Sequence, residues 1–198
     1  MVSAQIFMTM TNTEMRLKDN RLISGSSQEK KIIGWSLALA GFLVFLDQLT
    51  KVMTIHHFGS PENHRPISVI PDFFNLVYVH NNGAAWNMLA GQTWILLVIS
   101  VVVLLFIVVK LRSITEGWAE RFIALFMVVS GIVGNTADRM WNNGNVIDFL
   151  DFTLRIGSWS YRWPAFNVAD SAICVGATIF IISSFIRPTE DSDSVQAK

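Results

Sequence analysis

The sequence predicts a helical membrane protein: a four-helix transmembrane bundle with a short sheet lying on its outer surface. Two observations predict it. The 198-residue chain is 52% hydrophobic and only 15% charged, against about 25% charged residues in an average soluble domain, and its mean hydropathy is +0.43. Four apolar stretches approach the roughly 20 helical residues that cross about 30 Å of hydrocarbon: Ile33 to His56, Thr93 to Val109, Trp118 to Thr136, and Ala165 to Ile186. Repeated runs of helix length, without a series of alternating ten-residue segments, favour a helical bundle over an outer-membrane barrel.

Lys and Arg set the orientation. Arg16, Lys18, Arg21, Lys30 and Lys31 precede the first span, Lys110, Arg112 and Arg121 lie between the second and third, and Arg187 follows the fourth. With four spans these all fall on one side, so the positive-inside rule makes both termini cytoplasmic and turns segments 57–92 and 137–164 outward. Met1 to Lys31 and residues 188–198 are polar and lack an apolar period, and read as disordered cytoplasmic tails around a membrane-embedded domain at 32–187. The first span is long and no small-residue cleavage site follows it, which favours a retained helix over a signal peptide.

A net charge of zero points away from nucleic acid as a partner. Cys174 is the single cysteine, which excludes an internal disulfide and a multi-cysteine metal site; amid apolar residues it reads as packing. His56, His57, His64 and His80 cluster in the outer region without a metal-ligand spacing, and neither a Gly-x-Ser-x-Gly nor a His-Glu-x-x-His motif occurs.

In the first span Asp47 and Lys51 are four residues apart, acid before base, which puts them on one helical face in the favourable order. Either they form a structural ion pair, with Lys51 snorkelling to the outer interface, or they touch substrate or a lipid headgroup. Beyond this span, Phe73 to Val79 favours strand. Asn81-Asn82-Gly83-Ala84-Ala85-Trp86 then suits a turn: Gly83 allows close backbone approach and Trp86 fits the headgroup zone. Asn81 is a residue of this turn or a holder of substrate backbone.

The third span ends Ser130-Gly131-Ile132-Val133-Gly134-Asn135-Thr136-Ala137-Asp138-Arg139. Gly131 and Gly134 predict tight helix packing. Asn135 and Arg139 share a face, Asp138 can pair locally, and Arg139 offers a planar fork of donors to a carboxylate or phosphate. Asn142-Asn143-Gly144-Asn145 signals a turn into Val146 to Phe152. Within that run Asp148 should dock on the bundle, while Asp151 opens a more polar stretch and reads as solvated. Trp159, Tyr161 and Trp163 form an aromatic belt before Pro164, which suits the opening of the last helix; Asn167 and Asp170 share a face in its first turns.

An acid at the centre of a membrane helix costs about 2.5 to 3.5 kcal/mol on the insertion scale, and less toward the interface. Asp148 and Asp170 therefore each need a partner or a task. Two neighbouring carboxylates do not both ionise cheaply; one keeps its proton while the other acts as a base. Such a pair can activate water against a peptide carbonyl without a metal. Two other classes fit acids in a membrane: a transporter, which predicts acids spread through the bundle and broken helices at its midplane, and a scaffold whose charges only pair. Clustering of the polar residues at the outer end favours chemistry at the membrane surface.

In chain order, Asp47-Gln48-Leu49-Thr50-Lys51, Asn81 to Trp86, Gly131 to Arg139, Val146-Ile147-Asp148-Phe149 and Phe166 to Ser171 resemble the bacterial lipoprotein signal peptidase family, also called signal peptidase II, over about residues 33–186. The resemblance implies four transmembrane helices, a small extracytoplasmic sheet and an interfacial helix. It also implies a monomeric aspartic endopeptidase of the bacterial cytoplasmic (inner) membrane, its site near the outer leaflet. Its substrates would be prolipoproteins, cut before a diacylglyceryl-modified cysteine, with membrane lipids as further partners and no cofactor or metal. Asp148 and Asp170 would be catalytic; Asn81, Gly83, Asn135, Arg139 and Asn167 would surround substrate or pair, with Asp47 and Lys51 in support. Trp86 departs from the family's common Phe, and the polar N-terminal tail is longer than the family requires.

Overall fold

The structure, a computed structural model, describes residues 27–62 and 65–187. Four helices are long and apolar enough to cross a membrane: α1 (Ser27–Phe58), α2 (Thr93–Thr115), α3 (Ala119–Trp141) and α4 (Val168–Ile186). Helix α3 is central; it packs broadly on α4 and α1, and α2 lies against it. The outward helix faces are apolar, with Val109 and Phe185 76% and 83% exposed. The chain is a multi-pass membrane protein.

Small residues set the close approach of the central helices. A Cβ on Gly134 would lie 2.6 Å from the Asp47 carboxylate and 3.2 Å from Ala169 Cβ, and one on Gly176 would lie 2.6 Å from the Ala124 carbonyl oxygen. A Cβ on Gly131 would collide with the Ala169 carbonyl. The expected tight packing of Gly131 and Gly134 is therefore present. Because Ala172 and Gly176 occupy the buried face of α4, Cys174, about half a turn round, is exposed rather than packed.

At one end of the bundle a four-stranded antiparallel meander runs β1 (Ile67–Ile70), β2 (Phe74–Asn81), β3 (Val146–Ile156), β4 (Trp159–Arg162). A 3-10 turn spans Ala85–Asn87, and the loop around it places Trp86, Asn87 and Leu89 at φ of 52°, 60° and 56°. The left-handed region is costly for such side chains.

Several boundaries differ from expectation. Helix α1 starts at Ser27, inside the segment assigned to the tail, with Glu29 in its first turn 3.4 Å from Arg112. Helix α4 starts at Val168, because residues 163–166 pair along β3 and Asn167 caps the helix. Asp151 is buried, not solvated: Arg162 grips it through Nε at 2.6 Å and Nη2 at 2.9 Å, and Asn75 donates at 3.3 Å. His64 and the tails at 1–26 and 188–198 lie outside the described residues.

Candidate active site

Strand pairing brings Asp148 and Asp170 together. Asp148 sits on β3 opposite Val79, with Asn81 opposite Val146. After β4 the chain returns along β3: Trp163 N donates to Phe152 O at 2.8 Å, Phe166 N to Leu150 O at 3.0 Å, and Leu150 N to Phe166 O at 2.8 Å. The next residue, Asn167, is thus delivered beside Ile147 and Asp148 as it caps α4. Asp170 lies one turn in.

Asn167 joins the two acids. Its Nδ2 donates to Asp148 Oδ1 at 2.7 Å and contacts Asn135 Oδ1 at 3.2 Å, while its Oδ1 accepts from Asp170 N at 2.9 Å. Asp170 Oδ2 accepts from Asn167 N at 3.2 Å, completing a capping box. Asn135 Nδ2 donates to Asp170 Oδ1 at 2.8 Å, and Asn81 Nδ2 to Asp148 Oδ2 at 3.0 Å. Each carboxyl therefore has a private Asn donor, and Asn167 serves both.

A buried ion network lies beneath. Lys51, 1% exposed, does not snorkel; its Nζ meets Asp47 Oδ2 at 2.8 Å, Asp138 Oδ2 at 2.9 Å and Asn135 Oδ1 at 3.2 Å. Asp47 Oδ1 accepts from Ala169 N at 2.9 Å at the start of α4, where the helix dipole favours an anion. Asp47 and Lys51 thus form an ion pair within the bundle. Asp138 is not paired locally: besides Lys51 it accepts from Ile147 N at 3.0 Å and Gln48 Nε2 at 3.1 Å, so one carboxylate fixes β3 against α1 and α3.

Arg139 clamps backbone rather than a carboxylate. Its Nη2 donates to Gly83 O at 2.7 Å and its Nη1 to Asn135 O at 3.3 Å. Gly83 N in turn donates to Asn81 Oδ1 at 3.0 Å, and a Cβ on Gly83 would lie 2.7 Å from Met88 O. All nine residues singled out from the sequence, Asp47, Lys51, Asn81, Gly83, Asn135, Arg139, Asp148, Asn167 and Asp170, thus belong to one connected network. Sequence reasoning missed Asp138 and Gln48 as members of it. The signal for Asp138 was present, a second acid one turn from Asn135 on a membrane helix; Gln48 carried none.

Burial pushes the Asp148 carboxyl up to about 7, and the charge of Asp170 adds to the rise, against the opposing pull of the Asn81 and Asn167 donors and of Lys51. The site therefore places an acid that holds its proton near neutrality beside a second carboxyl in the first turn of α4. Among the described residues no group of three or more His, Cys, Asp or Glu is placed to hold a metal ion.

The family model described as "Signal peptidase (SPase) II" matches residues 39–186. The chain belongs to the signal peptidase II family. A lipoprotein signal peptidase of Janthinobacterium sp. (strain Marseille) is 39% identical over 165 residues, covering 81% of this chain and 93% of that protein. One from Ralstonia nicotianae (strain ATCC BAA-1114 / GMI1000) is 42% identical over 159 residues, covering 78% and 86%. A solved structure described as a bacterial membrane enzyme, determined by the in meso method at 2.3 Å resolution, superposes with a TM-score of 0.69 at 29% identity, covering 79% of this chain and 93% of that one. This member of the signal peptidase II family is a protease, and the match spans every residue of the network.

Proposed function

We propose that this chain is an aspartic endopeptidase that removes the signal peptide from prolipoproteins by cutting before a diacylglyceryl-modified cysteine. The observation that carries the reading is the arrangement of Asp148 and Asp170, each with its own Asn donor and both bound to Asn167. In this reading Asp170 takes a proton from water as the oxygen attacks the scissile carbonyl carbon, and Asp148 gives its proton to the carbonyl oxygen. The tetrahedral intermediate collapses when Asp170 passes its proton to the leaving nitrogen and Asp148 recovers one from a hydroxyl of the intermediate. The C–N bond breaks, and the water is divided between the new carboxyl and the new amine.

Position in the bilayer supplies the selectivity. The acyl chains of the modified cysteine hold the substrate at the outer interface and its signal helix lies among the bundle helices, so the scissile bond reaches the level of the acids with its orientation already limited. The Lys and Arg distribution supports cytoplasmic termini and an active site near the outer leaflet; in this reading the enzyme resides in the bacterial cytoplasmic membrane with membrane lipids as neighbours, and a single chain suffices for the reaction. Asn81, Asn135 and Asn167 position the acids, Arg139 and Gly83 hold the loop beside them, and Asp47 and Lys51 brace the helices.

Mass spectrometry of the products from a synthetic diacylglyceryl-modified prolipoprotein peptide, in detergent and in the presence of a chelator, tests this. One cut, immediately before the lipidated cysteine, is the expected result. A cut elsewhere, or equal cleavage of the unlipidated peptide, overturns the reading.

A further inference from the structure

Helical hydroxyls in this chain follow a habit. Thr50, Thr54, Ser100 and Thr178 each donate to the carbonyl four residues back at 2.8 to 2.9 Å. Thr136 departs from it. Among the described residues three buried side-chain polar atoms have no hydrogen-bond partner: Ser36 Oγ, Thr136 Oγ1 and Arg139 Nε. Ser36 lies on α1 eleven residues before Asp47, roughly 16 Å along the helix. The other two lie three residues apart on α3, hence on one side of it, in the stretch that begins with Asn135.

An orphaned buried donor is expensive in a free protein and is explained when a ligand supplies the missing partner. The Arg139 fork cannot swing to satisfy itself, because Nη2 is held by Gly83 O and Nη1 by Asn135 O. Gly83 is in turn fixed by Asn81 and by a backbone approach too close for any Cβ. Nε is thus held at a set place, with the Thr136 hydroxyl one turn away along the same helix. Both atoms donate, and the groups they suit are oxygen acceptors.

Resting on the proposed peptidase reading, we propose that Thr136 Oγ1 and Arg139 Nε form a polar subsite that receives carbonyl oxygens of the bound lipopeptide. Thr136 is then a specificity residue: it makes no bond in the free enzyme and gains one with substrate. Two carbonyl sources share this chemistry, the peptide backbone next to the scissile bond and the ester groups of the diacylglyceryl moiety.

Thr136→Val keeps shape and removes the hydroxyl; Thr136→Ser keeps the hydroxyl. Their KM and kcat on ester-linked and ether-linked lipopeptides, their affinity for a non-cleavable lipopeptide and their Tm without substrate form the test. Thr136→Val should raise KM and weaken affinity about three- to tenfold, change kcat less than twofold, and raise Tm, since it deletes an unsatisfied group. Thr136→Ser should restore KM to within twofold of wild type. An effect that persists on the ether-linked peptide assigns the backbone carbonyl, and one confined to the ester-linked peptide assigns the lipid ester; both support the subsite. Unchanged affinity in Thr136→Val overturns it, and a fallen Tm with that result identifies a hydroxyl already partnered in the free protein. If wild type fails to cleave while Thr136→Val still loses affinity, the reaction is wrong and the subsite stands.

Discussion

The side-chain nitrogen of Asn167 lies 2.7 Å from Asp148 Oδ1, while the same side chain caps the helix that carries Asp170. One residue therefore holds the geometry of both acids, and its two tasks can be separated. Ser is as good an N-cap as Asn but lacks the amide donor. Asn167→Ser should keep thermal stability within about 1 kcal/mol of wild type and lower kcat roughly 5- to 150-fold, the cost of about 1 to 3 kcal/mol of leaving a buried polar group without its partner. Asn167→Ala should lose the same activity and additionally about 1 kcal/mol of stability. Thermal denaturation and steady-state cleavage of each variant check both halves.

The raised Asp148 carboxyl sets a pH limb. Its protonated form is present below about 7 and is lost as pH rises through that value. With Asp148 as the proton donor, kcat/KM should fall about tenfold per pH unit on the alkaline side. The Asn81 donor pulls this acid down, so Asn81→Ala should move the limb to higher pH. The same shift bears on stability: with the folded value above the unfolded one of about 3.9, the contribution of this group is fully present below about pH 4 and is lost as pH rises to about 7. A pH profile of cleavage for wild type and Asn81→Ala is the check.

Lys51 compensates two buried carboxylates, Asp47 and Asp138. Lys51→Met keeps the length and removes the charge, and breaking a buried pair this way costs about 3 to 5 kcal/mol. Asp138→Asn added to Lys51→Met removes one of the stranded charges and should recover part of the loss, so the two changes are not additive. Denaturation in detergent of the two single variants and the double measures the coupling.

Much of this site is legible from residue types because acids, amides and Arg are conspicuous in a membrane chain. Asp148 and Asp170 stand out for that reason, and Gly131 and Gly134 announce the helix contact. What the chain order hides is long-range pairing. Asp151 reads as solvated until β4 places Arg162 on it, and Lys51 reads as snorkelling until α3 supplies Asp138 and Asn135 from more than 80 residues away. Pro164 suggests a helix start, but the backbone of residues 163–166 is taken by β3 and the capping box at Asn167 sets the true one. Cys174 looks like core from its neighbours' polarity, yet helical phase turns it outward.

In the proposed reaction the two acids activate water against the peptide, and no side chain acts as nucleophile. It is tested most directly by cleavage of a diacylglyceryl-modified prolipoprotein peptide by purified wild type, Asp148→Asn and Asp170→Asn, with circular dichroism and thermal denaturation confirming that each is folded. Wild type should cut before the lipidated cysteine, and each folded variant should lose activity at least 1,000-fold, within the ~10²–10⁴ range of general acid–base catalysis. Full activity in either folded variant, or no cleavage by folded wild type, would contradict it.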